Sequence, residues 1–95
     1  TFVENNIYAN LLACKAEKAP GEVFNIAIGE RYTLLTLLDT INDITGKKIQ
    51  PRFEPERAGD VKHSMADIRK AREILNYQPR TGFREGMEKL IASML

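Results

Sequence analysis

Cysteine, histidine and surplus charge are scarce in this 95-residue chain. A single cysteine, Cys14, cannot close an internal disulfide, which fits a reducing, cytoplasmic setting. One cysteine and one histidine, His63, cannot furnish the usual four-ligand zinc site. Fourteen Lys and Arg against thirteen Asp and Glu leave a net charge of +1. A nucleic-acid binder normally carries a basic face, so no nucleic-acid partner is expected. Apolar runs are short, as at Ala27-Ile28 and Leu34-Leu35, far below the ~20 residues of a membrane span. No charged segment followed by an apolar one opens the chain, so no secretory leader is read. Tryptophan is missing, which excludes nothing.

What is present has ordinary globular composition, 43% hydrophobic and 28% charged. Thr1-Phe2-Val3-Glu4 has the spacing of a capping box. Val3, Ile7, Leu11 and Cys14 follow at helical steps, predicting a helix to about Lys18 that packs through this stripe and stops before Pro20-Gly21. Residues 23–28, apolar at five of six positions, read as a strand covered on both faces. Asn25 within it reads as a buried amide bonded to backbone. Thr33 caps a second predicted helix with Leu34, Leu37, Leu38, Ile41 and Ile44 inward, and Gly46 ends it. Ile49, Pro51 and Phe53 alternate with polar residues as a half-buried edge strand. Strand, helix, strand makes a βαβ unit, so the fold class expected is α/β with flanking helices. Asp67 caps a third helix over 68–75, with Asn76 in the left-handed terminal position. Thr81 or Gly82 opens a fourth, with Phe83, Met87, Leu90, Ile91 and Met94 inward. Residues 1–95 show no repeat and no internal boundary. Two strands alone are marginal in water, so the chain reads as part of a larger α/β protein.

The segment from Glu56 to Ser64 is a polar loop after a strand, a usual place for ligand contacts. Arg57 offers a planar fork that fits a phosphate. Asp60 can accept from two neighbouring hydroxyls, as on a ribose, and Gly59 permits a sharp turn between them. An Arg57–Asp60 ion pair that merely orders the loop fits the same spacing. Ser64 fits a turn hydroxyl, and His63 a surface histidine. Lys62, Arg69, Lys70 and Arg72 read as a solvated face.

Three stretches together resemble the C-terminal third of extended short-chain dehydrogenase/reductases that act on sugar nucleotides. They are TFVENNIYANLLA (1–13), GEVFNIAIGERYTL (21–34) and RAGDVKHSMADIRKAREILNYQP (57–79), in family order and at family-like separations. The wording is most similar to UDP-sugar 4-epimerases, including those that take UDP-N-acetylglucosamine. The resemblance implies that Arg57 grips the diphosphate and Asp60 holds the ribose. It places Ser64 against the sugar, where a small side chain leaves room for an N-acetyl group. The turn Gly29-Glu30-Arg31 departs from the more Gly-rich form of many members, with Ala27 and Arg31 differing.

In that family NAD takes a hydride from the sugar C4 and returns it to the other face. The chemistry needs a Gly-rich strand-to-helix turn for the pyrophosphate and a tyrosine base followed four residues on by lysine. The chain contains neither. Leu12, Thr36 and Thr81 stand four residues after Tyr8, Tyr32 and Tyr77. The expectation is therefore a substrate-binding portion, itself neither catalytic nor NAD-binding, of a homodimeric NAD-dependent UDP-sugar 4-epimerase whose Rossmann portion lies elsewhere. The same portion of a related dehydratase, reductase or decarboxylase is the alternative within the family. A non-catalytic nucleotide-binding or interaction module is the alternative outside it.

Overall fold

The structure is a computed structural model that describes residues 1–55, 58–59 and 65–95. The described residues hold four helices, α1 (Val3–Lys15), α2 (Leu34–Thr45), α3 (Arg69–Leu75) and α4 (Phe83–Met94). They pack as two pairs, α1 against α3 and α2 against α4.

Helix α2 forms with the ends its sequence dictates, whereas Leu34, expected inward, is 83% exposed. Thr33 Oγ1 accepts from the Thr36 N–H at 3.0 Å, satisfying one of the first-turn donors. Gly46 closes the helix with φ 72°, and its N–H donates to the Asn42 carbonyl. Asn42 also holds the chain beyond the helix, bonding both the carbonyl and the N–H of Ile49. Helix α3 ends on Asn76 at φ 56°, as the sequence predicts, and α4 starts after Gly82.

Helix α1 departs from expectation at its cap, its end and its face. Phe2 is the N-cap and no side chain caps it. Glu4 reaches instead to Thr81 Oγ1 and to Lys89. The helix stops at Lys15 rather than Lys18. Its buried positions are Asn5 and Ala9, while Val3, Ile7 and Leu11 are about half exposed and Cys14 is exposed. The sequence carries two apolar stripes along α1, and periodicity cannot tell which one meets α3. Packing selects the smaller side chains. Ala9 and Ala71 are both buried, and small side chains let two helix backbones approach closely.

No strand forms among the described residues, so the expected βαβ unit is not formed among them. Residues 23–28 and 49–53 have no regular secondary structure. A strand needs a neighbour to pair with its N–H and C=O groups, and neither segment has one among the described residues. Phe24 and Ile26 still turn inward onto the core, while Val23 is 81% exposed. Asn25 is exposed, not buried as expected.

The core is small. Ala9, Ala19, Ile68, Ala71, Leu75 and Tyr77 are buried together, with Tyr8, Leu12, Phe24, Ile26 and Ile74 packed around them. Helix α2 buries no residue fully, and in α4 Leu90 is about half exposed and Met94 is 77% exposed.

Candidate functional site

The three residues that the sequence assigns to ligand, Arg57, Asp60 and Ser64, lie outside the described residues, as do Lys62 and His63. What the structure describes is the frame on which that loop is hung. Gly59 lies within the loop at φ 87°, a left-handed conformation that a side chain disfavours, in keeping with a sharp turn beside Arg57 and Asp60.

The loop returns to the body of the chain through Asp67 and Ile68. Asp67 accepts from the Arg69 backbone N–H at 3.0 Å and from the Arg69 guanidinium at 2.7 Å. Arg69 holds the Asp67 carboxyl at about 2, below its ordinary 3.8, first through its side chain and then through its N–H. Asp67 thus does local capping work, although Ile68 occupies the formal N-cap. Ile68 is buried, and its Cδ1 lies 3.2 Å from where a Cβ on Gly29 would stand.

Gly29, at φ 74°, is the centre of a second turn pinned from several sides. Tyr77, fully buried, donates its hydroxyl to the Ala27 carbonyl at 2.8 Å. Tyr32 donates to Glu30 and stacks on Phe83 with ring centroids 4.1 Å apart. The Gly29-Glu30-Arg31 turn is thereby held between α3 and α4. Burial pushes the Tyr77 hydroxyl pKa up, and the Glu30 carboxylate pushes that of Tyr32 up. A tyrosine base for hydride chemistry needs its pKa lowered, so neither is suited to that task. Arg31 is exposed.

The side chain that sequence reasoning missed is Asn5. It is wholly buried, donates from Nδ2 to the Thr81 carbonyl at 2.7 Å and accepts at Oδ1 from the Arg80 and Thr81 N–H groups at 2.9 and 3.0 Å. This amide staples α1 to the turn that starts α4. The only available signal was an Asn on the helix face opposite the larger apolar side chains. Of the basic residues expected to form a solvated face, Arg69, Lys70 and Arg72 are exposed, and Lys62 lies outside the described residues. Arg69 pairs with Asp67 and Lys70 with Glu22, while Arg72 is exposed. No cluster of three or more His, Cys, Asp or Glu able to hold a metal occurs among the described residues. Among them, no helix is long and apolar enough to cross a membrane.

No protein-family model matches the chain. Relatives do. An uncharacterized UDP-glucose epimerase of Bacillus subtilis is 38% identical over 72 residues, 76% of this chain and 23% of that protein. A UDP-glucose 4-epimerase of Mycolicibacterium smegmatis is 34% identical over 71 residues, 75% of this chain and 23% of that protein. The crystal structure of a UDP-glucose 4-epimerase with UDP-glucose from Thermotoga maritima superposes with a TM-score of 0.86 at 35% identity, over 97% of this chain and 29% of that one. This chain thus spans about a quarter of the length of the relatives it matches. Its homologues include UDP-glucose 4-epimerases, matched over the C-terminal part of their length, and its backbone is closely similar to the matching part of the Thermotoga maritima structure.

Proposed function

We propose that residues 1–95 are the UDP-sugar-binding, C-terminal portion of an NAD-dependent UDP-sugar 4-epimerase. The observation that carries this reading is the agreement of sequence and backbone, since the Bacillus subtilis and Mycolicibacterium smegmatis relatives and the structural neighbour are all named UDP-glucose epimerases, while a UDP-glucuronic acid decarboxylase of Arabidopsis thaliana is 29% identical over 69 residues and keeps the decarboxylase alternative in view. In this reading Arg57 binds the diphosphate through its guanidinium, Asp60 accepts from the ribose hydroxyls, and Ser64 lies against the sugar and leaves space for an N-acetyl group. The substrate is UDP-glucose and UDP-galactose or their N-acetylhexosamine counterparts. The residues of this chain do not fit NAD. They include no Gly-rich turn for a pyrophosphate, and the two tyrosines with displaced pKa values are displaced upward. Cofactor binding, the hydride step and the homodimer contact therefore belong to the remaining polypeptide. There, residues 23–28 and 49–53 gain sheet neighbours and become the strands that their sequence describes, completing the βαβ unit.

The test is a two-dimensional amide NMR titration with UDP and UDP-N-acetylglucosamine. Ligand-induced shifts centred on residues 57–64, removed by Arg57→Ala, are expected. A dispersed spectrum that millimolar UDP leaves unmoved counts against the reading.

A further inference from the structure

Tyr77 is fully buried, yet it carries a hydroxyl that the proposed function does not use. A buried phenol is retained where its O–H finds a partner. Here the partner is the Ala27 carbonyl, 50 residues away in the chain and 2.8 Å from the oxygen. The Tyr77 backbone is fixed as well. Its N–H donates to the Ala71 carbonyl at 3.2 Å, just past the end of α3. Phenol and helix therefore move as one body.

Two residues beyond Ala27, the same turn meets the other end of α3. A Cβ on Gly29 would stand 3.2 Å from Ile68 Cδ1 and 3.6 Å from a guanidinium nitrogen of Arg72. Ile68 and Arg72 are one helical turn apart, and a residue without a side chain lets both approach the backbone. The turn is thus gripped along the length of α3, at Ile68, Arg72 and Tyr77. Ile68 is 4% exposed, and its carbonyl accepts from the Arg72 N–H at 3.0 Å, so it shifts only with the helix. It also stands four residues after Ser64, where the chain leaves the segment assigned to ligand. A displacement of the turn is delivered to that junction.

We infer that Tyr77 is a positioning residue for nucleotide binding. Its hydroxyl, through the Ala27 carbonyl and the Gly29–Ile68 contact, sets how residues 57–64 are presented to the ligand. This rests on the proposed function and adds to it a residue that acts through the frame. Displacements of about 1 Å in groups that hold a ligand are costly, which makes a remote anchor effective.

The experiment compares the 95-residue chain with Tyr77→Phe, which removes one oxygen and keeps the ring in the core. Asn5→Ala is the control, an equally buried polar side chain whose partners, Arg80 and Thr81, lie beyond Tyr77. Amide NMR gives two readings, the ligand-free positions of residues 57–64 and the affinity for UDP. Tyr77→Phe is expected to move those ligand-free amides and to weaken UDP binding by about tenfold, the scale of one lost hydrogen bond. Asn5→Ala is expected to leave both readings unchanged. A general loosening of the core moves both variants alike, and that result overturns the inference. So does a Tyr77→Phe chain whose 57–64 amides or UDP affinity match the parent. Should Tyr77→Phe fail to fold, Ile68→Val, which withdraws Cδ1 from Gly29, carries the same readings. Failure of the proposed function looks different. The parent chain then does not respond to UDP, and the ligand-free amides of Tyr77→Phe still decide the positioning role.

Discussion

Asn5 is the residue whose removal is expected to cost most for its size. Its side chain satisfies two backbone N–H groups and one carbonyl at a buried turn, and Thr81 there is 3% exposed. Truncation leaves those groups without partners, at roughly 1–3 kcal/mol for a buried polar group left unpaired. Asn5→Ala should therefore lower the unfolding free energy by about 2 kcal/mol, while Asn6→Ala, one position away and exposed, should stay within about 0.5 kcal/mol. Chemical denaturation of the two variants side by side measures the difference. Asp67 makes a prediction of another kind. Its carboxyl titrates at about 2 because Arg69 binds the ionised form. A depressed value means the contribution is present in full above the ordinary 3.8 and is lost as pH falls from there through about 2. Since the pair is exposed, its effect is read by titration rather than by stability. The Asp67 carboxyl carbon should titrate near 2 by NMR and return toward 3.8 in Arg69→Gln.

Elements were legible where their signals are local. The Thr33 cap and the Gly46 and Asn76 terminations depend on a few neighbouring atoms, and each stands where the sequence puts it. Thr33→Ala removes the acceptor of the Thr36 N–H and should cost about 1 kcal/mol, visible as faster amide exchange confined to the first turn of α2. Global loss of α2 would mean that the cap does more than hold one turn, because α2 buries no residue fully and has little else to anchor it. What periodicity could not decide was which stripe of α1 faces inward, since Val3-Ile7-Leu11 and Asn5-Ala9-Leu12 are both consistent with 3.6 residues per turn. The larger stripe was the natural choice for burial, and packing of α1 on α3 took the smaller one, with Ala9 and Ala71 both buried in the one core cluster. Nor does a run such as residues 23–28 reveal whether a pairing partner exists. Strand propensity describes fitness for a sheet that other residues must supply. For the candidate site, Gly59 shows the turn its sequence called for, whereas the roles of Arg57, Asp60 and Ser64 rest on the family resemblance.

As a whole molecule the chain is flat and open. Its radius of gyration is 16.2 Å, with extents of 49 × 34 × 17 Å. A compact domain of 95 residues has a radius near 12 Å. The openness has a backbone counterpart. Among the described residues, none of the N–H groups of residues 23–28 donates a hydrogen bond, although Phe24 and Ile26 rest on the core and the Ala27 carbonyl is held by Tyr77. The segment is therefore anchored by side chains on one face and vacant along its polar edge, the condition under which a strand from elsewhere adds by main-chain bonding. Amides of residues 23–28 should exchange with solvent at close to their unstructured rates in the isolated chain, while those in the middle of α1 and α2 are protected. When the chain stands in place of the matching portion of a longer relative, the same six amides should slow by at least about a hundredfold, since opening a paired strand requires local unfolding. Protection in the isolated chain that grows with concentration would instead identify pairing between copies along this edge. Protection that is independent of concentration would mean that the chain supplies its own neighbour, and would overturn the view that its two apolar extended segments are waiting for a sheet.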